Sequence, residues 1–174
     1  MLTSRKLDDL ATPAKIRALK FLAELRLAGI DFIVTCTRRD ADAQNALYAK
    51  GRTREHLDAA GLTHVQPAPG PIVTNAKGGD SYHQYDCAFD GVPLRHGKPV
   101  WGTAGDGIDD DPADDATDDL ELWQRVGAIA EACGLEWAGR WKGRLREMAH
   151  FQYTGGLTLA NFRAGQRLQN GAVA

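Results

Sequence analysis

The sequence predicts an α+β fold, one compact domain over residues 1–174 with a small antiparallel sheet and flanking helices. Segments with helical apolar spacing alternate with short β-branched runs, and neither an internal repeat nor a linker separates them. A chain of 174 residues also buries well over half of its unfolded surface, so it needs neither disulfide nor structural metal to fold.

The first helix is expected from Pro13 to about Leu27, with Thr12 as N-cap, Pro13 at the first helical position, and Ile16, Leu19, Leu22, Ala23 and Leu25 facing the core. Gly29 ends it, and Asp31 to Cys36 reads as a strand rich in β-branched residues. A second helix runs from about Asp40 to Lys50 and presents Ala43, Ala46 and Leu47 inward. Residues 51–70 are rich in turn formers without periodicity and read as a long surface loop. Ile72 to Thr74 reads as a short strand turned by Gly78-Gly79. Cys87 to Val92 forms another, with Asp86, Ala88 and Asp90 on one face and Cys87 and Phe89 on the other. A helix from about Asp118 to Cys133, acidic in its first turn, is closed by Gly134. Ala149 to Tyr153 is the last expected strand, and a short helix follows Leu157.

With 43% hydrophobic and 25% charged residues and no apolar run of membrane-spanning length, no integral membrane segment is expected. The N-terminal residues interleave charge with apolar side chains and lack the apolar core of a secretory signal, so synthesis is expected to end in the cytoplasm. Cys36, Cys87 and Cys133 are far apart and form no CxxC pair, which reads as small buried hydrophobes. The net charge of -2 conceals an acidic segment, residues 106–121, with eight Asp, one Glu and no Lys or Arg, so the remainder of the chain is basic. That balance suits an anionic partner such as bacterial cell wall. No dense basic run with interleaved aromatics supports nucleic acid as a partner. The acidic segment lacks the ordered D-x-D-x-D-G pattern with a closing Glu, so a solvated loop is favoured over a calcium site. His56, His64 and His96 fall in expected loops and read as surface residues.

Chemistry concentrates in SYHQYDCAFD and EMAHFQ. His83 and Asp90 stand seven positions apart, a spacing that alone occurs by chance near many strands. His150 supplies a third donor, and Glu147, three positions before it, supplies the carboxylate that a hydrolytic site needs to accept a proton from water. A non-haem iron centre also uses two histidines and a carboxylate, but its H-x-D spacing is absent.

These residues resemble the family of zinc peptidases that includes D-alanyl-D-alanine carboxypeptidases, the L-alanyl-D-glutamate endopeptidases of phage endolysins, and the dipeptidases of vancomycin resistance. Ser81, His83, Ala88 and Asp90 match its S-x-H-x-x-G-x-A-x-D motif, and Glu147, His150 and Phe151 match its downstream motif. The resemblance covers roughly residues 30–160. It implies Zn²⁺ bound by His83, Asp90 and His150, with Glu147 as general base. TRRDADAQNALYAKGRT resembles the segment whose arginine binds substrate and steadies the anionic intermediate; Arg39 and Gln44 take those places, with Arg38 the neighbouring alternative. Gln44, Ser81 and Trp141 are then candidate substrate contacts, a core tryptophan being the other reading of Trp141. Two positions depart from the pattern: Asp86 stands for glycine, which brings a further carboxylate towards the metal if Asp86 shares a strand face with Asp90, and Ala149 stands for proline.

The function implied is cleavage of the peptidoglycan stem peptide between L-alanine and D-glutamate by a monomeric endolysin that is held in the cytoplasm and acts in the periplasm or wall after release. A D-alanyl-D-alanine carboxypeptidase and a non-catalytic wall-binding protein on the same fold are the alternatives.

Overall fold

Helix α1 (Thr12–Leu27) turns Ala14, Ala18, Phe21 and Leu25 into the core, while Ile16 and Leu19 are 40% and 48% exposed. The expected face was therefore rotated. The helix carries two overlapping apolar stripes, and the one with two alanines lets its backbone come close enough for Phe21 to reach Phe151, ring centroids 5.1 Å apart. Ala11, not Thr12, occupies the N-cap. A computed structural model describes residues 1–103, 118–143 and 146–168; most of the acidic segment, residues 106–117, lies outside them.

The other elements are β1 (Phe32–Cys36), α2 (Ala41–Tyr48), α3 (Arg54–Ala59), β2 (Ala88–Arg95), β3 (Lys98–Pro99), α4 (Asp118–Ala132), β4 (Glu136–Trp137), β5 (His150–Gln152) and α5 (Leu159–Arg163). The sheet is antiparallel, in the order β1-β2-β5-β4, with β3 paired to β2 beyond a His96-Gly97 turn in which both residues have positive φ. One face packs on α1 and α4 through Phe21, Phe89, Phe151, Trp123 and Val126. This is the α+β architecture expected.

Several local expectations change. Residues 51–70 contain α3, capped by Thr53 and anchored by fully buried Leu57, and exposed His56 lies on that helix. Ile72 to Thr74 forms no strand; Arg52 donates to the Thr74 carbonyl and Gln44 to the nearby Ala76 carbonyl. Leu47 is half-buried, and Gln44 and Asn45 are buried beside Ala43. Strands β3 and β4 were not anticipated, since two residues are too short to show a period. The three cysteines are buried and unbridged.

Trp137 fixes the loop before β5. Its indole lies where a Cβ on Gly127 or Gly139 would come within 2.0 and 2.1 Å, and its Nε1 donates to the Met148 carbonyl at 2.8 Å. Two glycines thus make the slot that locates the chain around Glu147 and His150.

Candidate active site

Register brings the polar residues together. Asp90 on β2 lies opposite His150 on β5 and opposite Cys36 on β1, at the point where a bulge between Val34 and Cys36 shifts the β1 pairing. In β5 the alternation sends Phe151 to the core and leaves His150 and Gln152 on the other face. His83 arrives from a 3-10 turn (Tyr82–Tyr85) that ends on Asp86 in the left-handed region, φ 58°. The aspartate therefore makes the turn for which the family uses glycine. It lies outside β2, and its carboxylate faces Arg38 at 3.3 Å, so the expectation that it shares a strand face with Asp90 is not met.

His83 is 2% exposed and His150 7%. His83 Nδ1 lies 3.0 Å from the Thr37 carbonyl, an acceptor only, so that nitrogen carries a proton and Nε2 points to Asp90 Oδ1, 3.0 Å away. His150 Nδ1 reaches the same oxygen at 3.2 Å, and its Nε2 meets Gln152 Oε1 at 3.0 Å. Burial works against charge on His83, but the Asp90 carboxylate and the Cys36 thiol outweigh it and hold the imidazolium up to about 10. Burial likewise opposes the Asp90 carboxylate, which His83 and His150 nevertheless keep well below the ordinary carboxylate range.

Two imidazole nitrogens directed at one carboxylate, each with its far nitrogen engaged, fit a divalent metal. Cys36 was read from sequence as a buried hydrophobe. Its Sγ nevertheless falls with one donor atom each of His83 and Asp90 inside a 4.8 Å group. Cys36 borders a second cavity of about 520 Å³ that Arg39 and Asp90 share, and accepts from Arg39 Nη2 at 3.2 Å, whereas His150 borders the cavity that Glu147 lines. The signal for Cys36 was the β1 bulge, which no spacing in the sequence announces.

A cavity of about 530 Å³ opens over the cluster and is lined by Arg39, Gln44, Ser81, His83, Asp90, Trp141, Glu147 and His150, together with residues 73–76. All eight residues singled out from sequence thus border one space of ligand-binding size. Arg39 Nη2 lies 3.4 Å from Asp90 Oδ2, and its Nη1 donates to Gln44 Oε1 at 2.9 Å. Arg38 points instead to Asp86 and does not line the cavity. Gln44 is 1% exposed and its amide nitrogen is taken by the Ala76 carbonyl at 2.7 Å, so it serves to orient Arg39. Trp141 packs beside His150, ring centroids 5.7 Å apart, and donates to Glu136 at 2.7 Å, so it walls the cavity and is not a core residue.

A cleft with a His-Asp-His cluster, an exposed carboxylate and a fixed guanidinium on a small α+β sheet is the layout of a metal-assisted hydrolase. Residues 74–153 match a family model described as D-alanyl-D-alanine carboxypeptidase. Over 125 residues, 71% of the chain, the sequence is 33% identical to the peptidoglycan L-alanyl-D-glutamate endopeptidase CwlK of Bacillus subtilis, and it spans 61% of the length of that relative. The LD-carboxypeptidase LdcB has a similar fold at 16% identity, with a TM-score of 0.51 over 90% of this chain and 64% of that one. The L-Ala D-Glu endopeptidase ChiX of Serratia marcescens aligns at 19% identity and a TM-score of 0.49 over 92% of both chains. The chain belongs to the peptidase family of D-alanyl-D-alanine carboxypeptidases and L-alanyl-D-glutamate endopeptidases.

Proposed function

We propose that the protein is a zinc-dependent peptidoglycan peptidase that hydrolyses the stem peptide between L-alanine and D-glutamate, acting as an endolysin. The observation that carries the reading is the convergence of His83, Asp90 and His150 beneath a cavity that Glu147 and Arg39 also line. The choice of bond is supported by the 33% identity to an endopeptidase named for that bond.

His83 Nε2, Asp90 and His150 Nδ1 would hold the ion. When bound, zinc polarises the scissile carbonyl and lowers the pKa of water to about 7. Glu147 takes a proton from the attacking water and passes it to the leaving amine nitrogen. Arg39, oriented by Gln44, faces the negative charge that develops on the carbonyl oxygen and steadies it. Trp141 borders the channel along which the stem peptide lies. In this reading the protein works as a single-domain monomer, is held in the cytoplasm, and reaches the periplasm or wall after release.

The family model's own description favours a second reading, removal of the terminal D-alanine. Digestion of purified peptidoglycan with identification of the new ends separates the two. New L-alanine carboxyl and D-glutamate amino ends are expected; free D-alanine without them would establish the carboxypeptidase and contradict the endopeptidase.

A further inference from the structure

His150 is oriented by Gln152, within its own motif, and Gln152 in turn by Glu136, outside it. Glu136 on β4 lies opposite Gln152 on β5, and its Oε2 accepts from Gln152 Nε2 at 2.9 Å. Its other oxygen, Oε1, accepts from Trp141 Nε1 at 2.7 Å. A carboxylate only accepts, so the Gln152 amide must turn its nitrogen to Glu136 and its oxygen to His150. That oxygen, 3.0 Å from His150 Nε2, requires a proton on Nε2, so Nδ1, 3.2 Å from Asp90 Oδ1, is the nitrogen whose lone pair an ion can take once any proton shared with Asp90 is displaced. Gln152 is 3% exposed, so water does not relieve a reversed amide.

We propose that Glu136 is a positioning residue for the metal centre: through Gln152 it sets the tautomer in which His150 can ligate, and through Trp141 it holds the cavity wall against the same imidazole. The inference rests on the zinc reading of the site. Without the carboxylate, Gln152 is free to flip and offer its amide protons to His150 Nε2. The imidazole proton then moves to Nδ1, where it blocks the ion. Outer-shell partners of this kind are worth roughly 10–100-fold in metal affinity.

Zinc affinity of the full-length chain, measured by competition with a chromogenic chelator and accompanied by the thermal midpoint of each metal-free variant, tests this apart from catalysis. Glu136→Gln offers one acceptor oxygen to two donors and is expected to bind zinc ~10–100-fold more weakly. Gln152→Leu, which removes the acceptor at similar volume, should share that loss. The exchanged pair, Glu136→Gln with Gln152→Glu, restores an acceptor to every donor: the new carboxylate accepts from His150 and from the new amide, whose oxygen accepts from Trp141. It should recover the affinity and the cobalt(II) absorption spectrum of the unaltered protein. Undiminished affinity in Glu136→Gln or Gln152→Leu, or an exchanged pair no better than Glu136→Gln, would overturn the proposal. An unaltered chain that takes up no zinc would overturn the metal reading itself.

Discussion

His83 and His150 meet at one carboxylate from two regions that secure them differently. In the turn that follows Ser81, the His83 imidazole is held by a main-chain carbonyl, that of Thr37, and by nearly complete burial. On β5 the His150 imidazole is held by the Gln152 side chain, itself held by Glu136. No substitution at Thr37 deletes the first partner, whereas single changes delete the second. One imidazole is therefore held by the fold and the other by particular side chains, and zinc affinity of the proposed site should be tunable from the β4-β5 side.

The largest effect comes from removing what both regions serve. Glu147→Ala should lower stem-peptide hydrolysis by ~10²–10⁴-fold while zinc content stays unchanged, as read by turnover and metal analysis on the same sample. Arg39→Lys comes next. A point charge cannot reproduce a fork that reaches Gln44, Cys36 and Asp90 together, and a loss of ~10²–10³-fold in kcat is expected.

Contrasting the two regions directly, Gln152→Leu should weaken zinc binding by ~10–100-fold while Thr37→Val leaves it unchanged. Thr37 is buried and its Oγ1 has no hydrogen-bond partner among the described residues, so losing the hydroxyl should be neutral or slightly stabilising in a thermal melt. Weaker zinc binding in Thr37→Val would erase the distinction between the regions.

The smallest effect concerns the metal-free protein. His83 is raised from 6.5 to about 10, so its charged pairing with Asp90 stabilises the metal-free fold fully below about pH 6.5, and this contribution is lost as pH rises through about 10. Metal-free protein should therefore lose thermal stability between pH 7 and pH 10. His83→Gln should remove that dependence, and so should zinc, which displaces the proton.

Much of the site was legible because two short motifs sit on neighbouring strands, so alternation and register alone carry Asp90 and His150 to one face. The turn at Asp86 is legible in part: its tolerance of positive φ follows from the residue type, but the pairing of its carboxylate with Arg38 does not. Cys36 is buried as its sequence context suggests, but its place opposite Asp90 is not legible, because a bulge invisible to period-two reasoning sets it there. Glu136 was missed because β4 is two residues long and its partner lies sixteen positions away. The buried face of α1 was misjudged because apolar bulk was weighed above close approach, and two alanines took the contact expected of isoleucine and leucine.

Which third residue completes the metal site decides between the two faces of Asp90. Zinc titration of purified His150→Ala and Cys36→Ala beside the unaltered protein, with stoichiometry read by metal analysis, addresses it most directly. One zinc per chain in the unaltered protein and in Cys36→Ala, and none in His150→Ala, is the expected result. Zinc retained by His150→Ala and lost by Cys36→Ala would place the ion on the β1 side of Asp90, away from Glu147, and contradict the hydrolytic site described above.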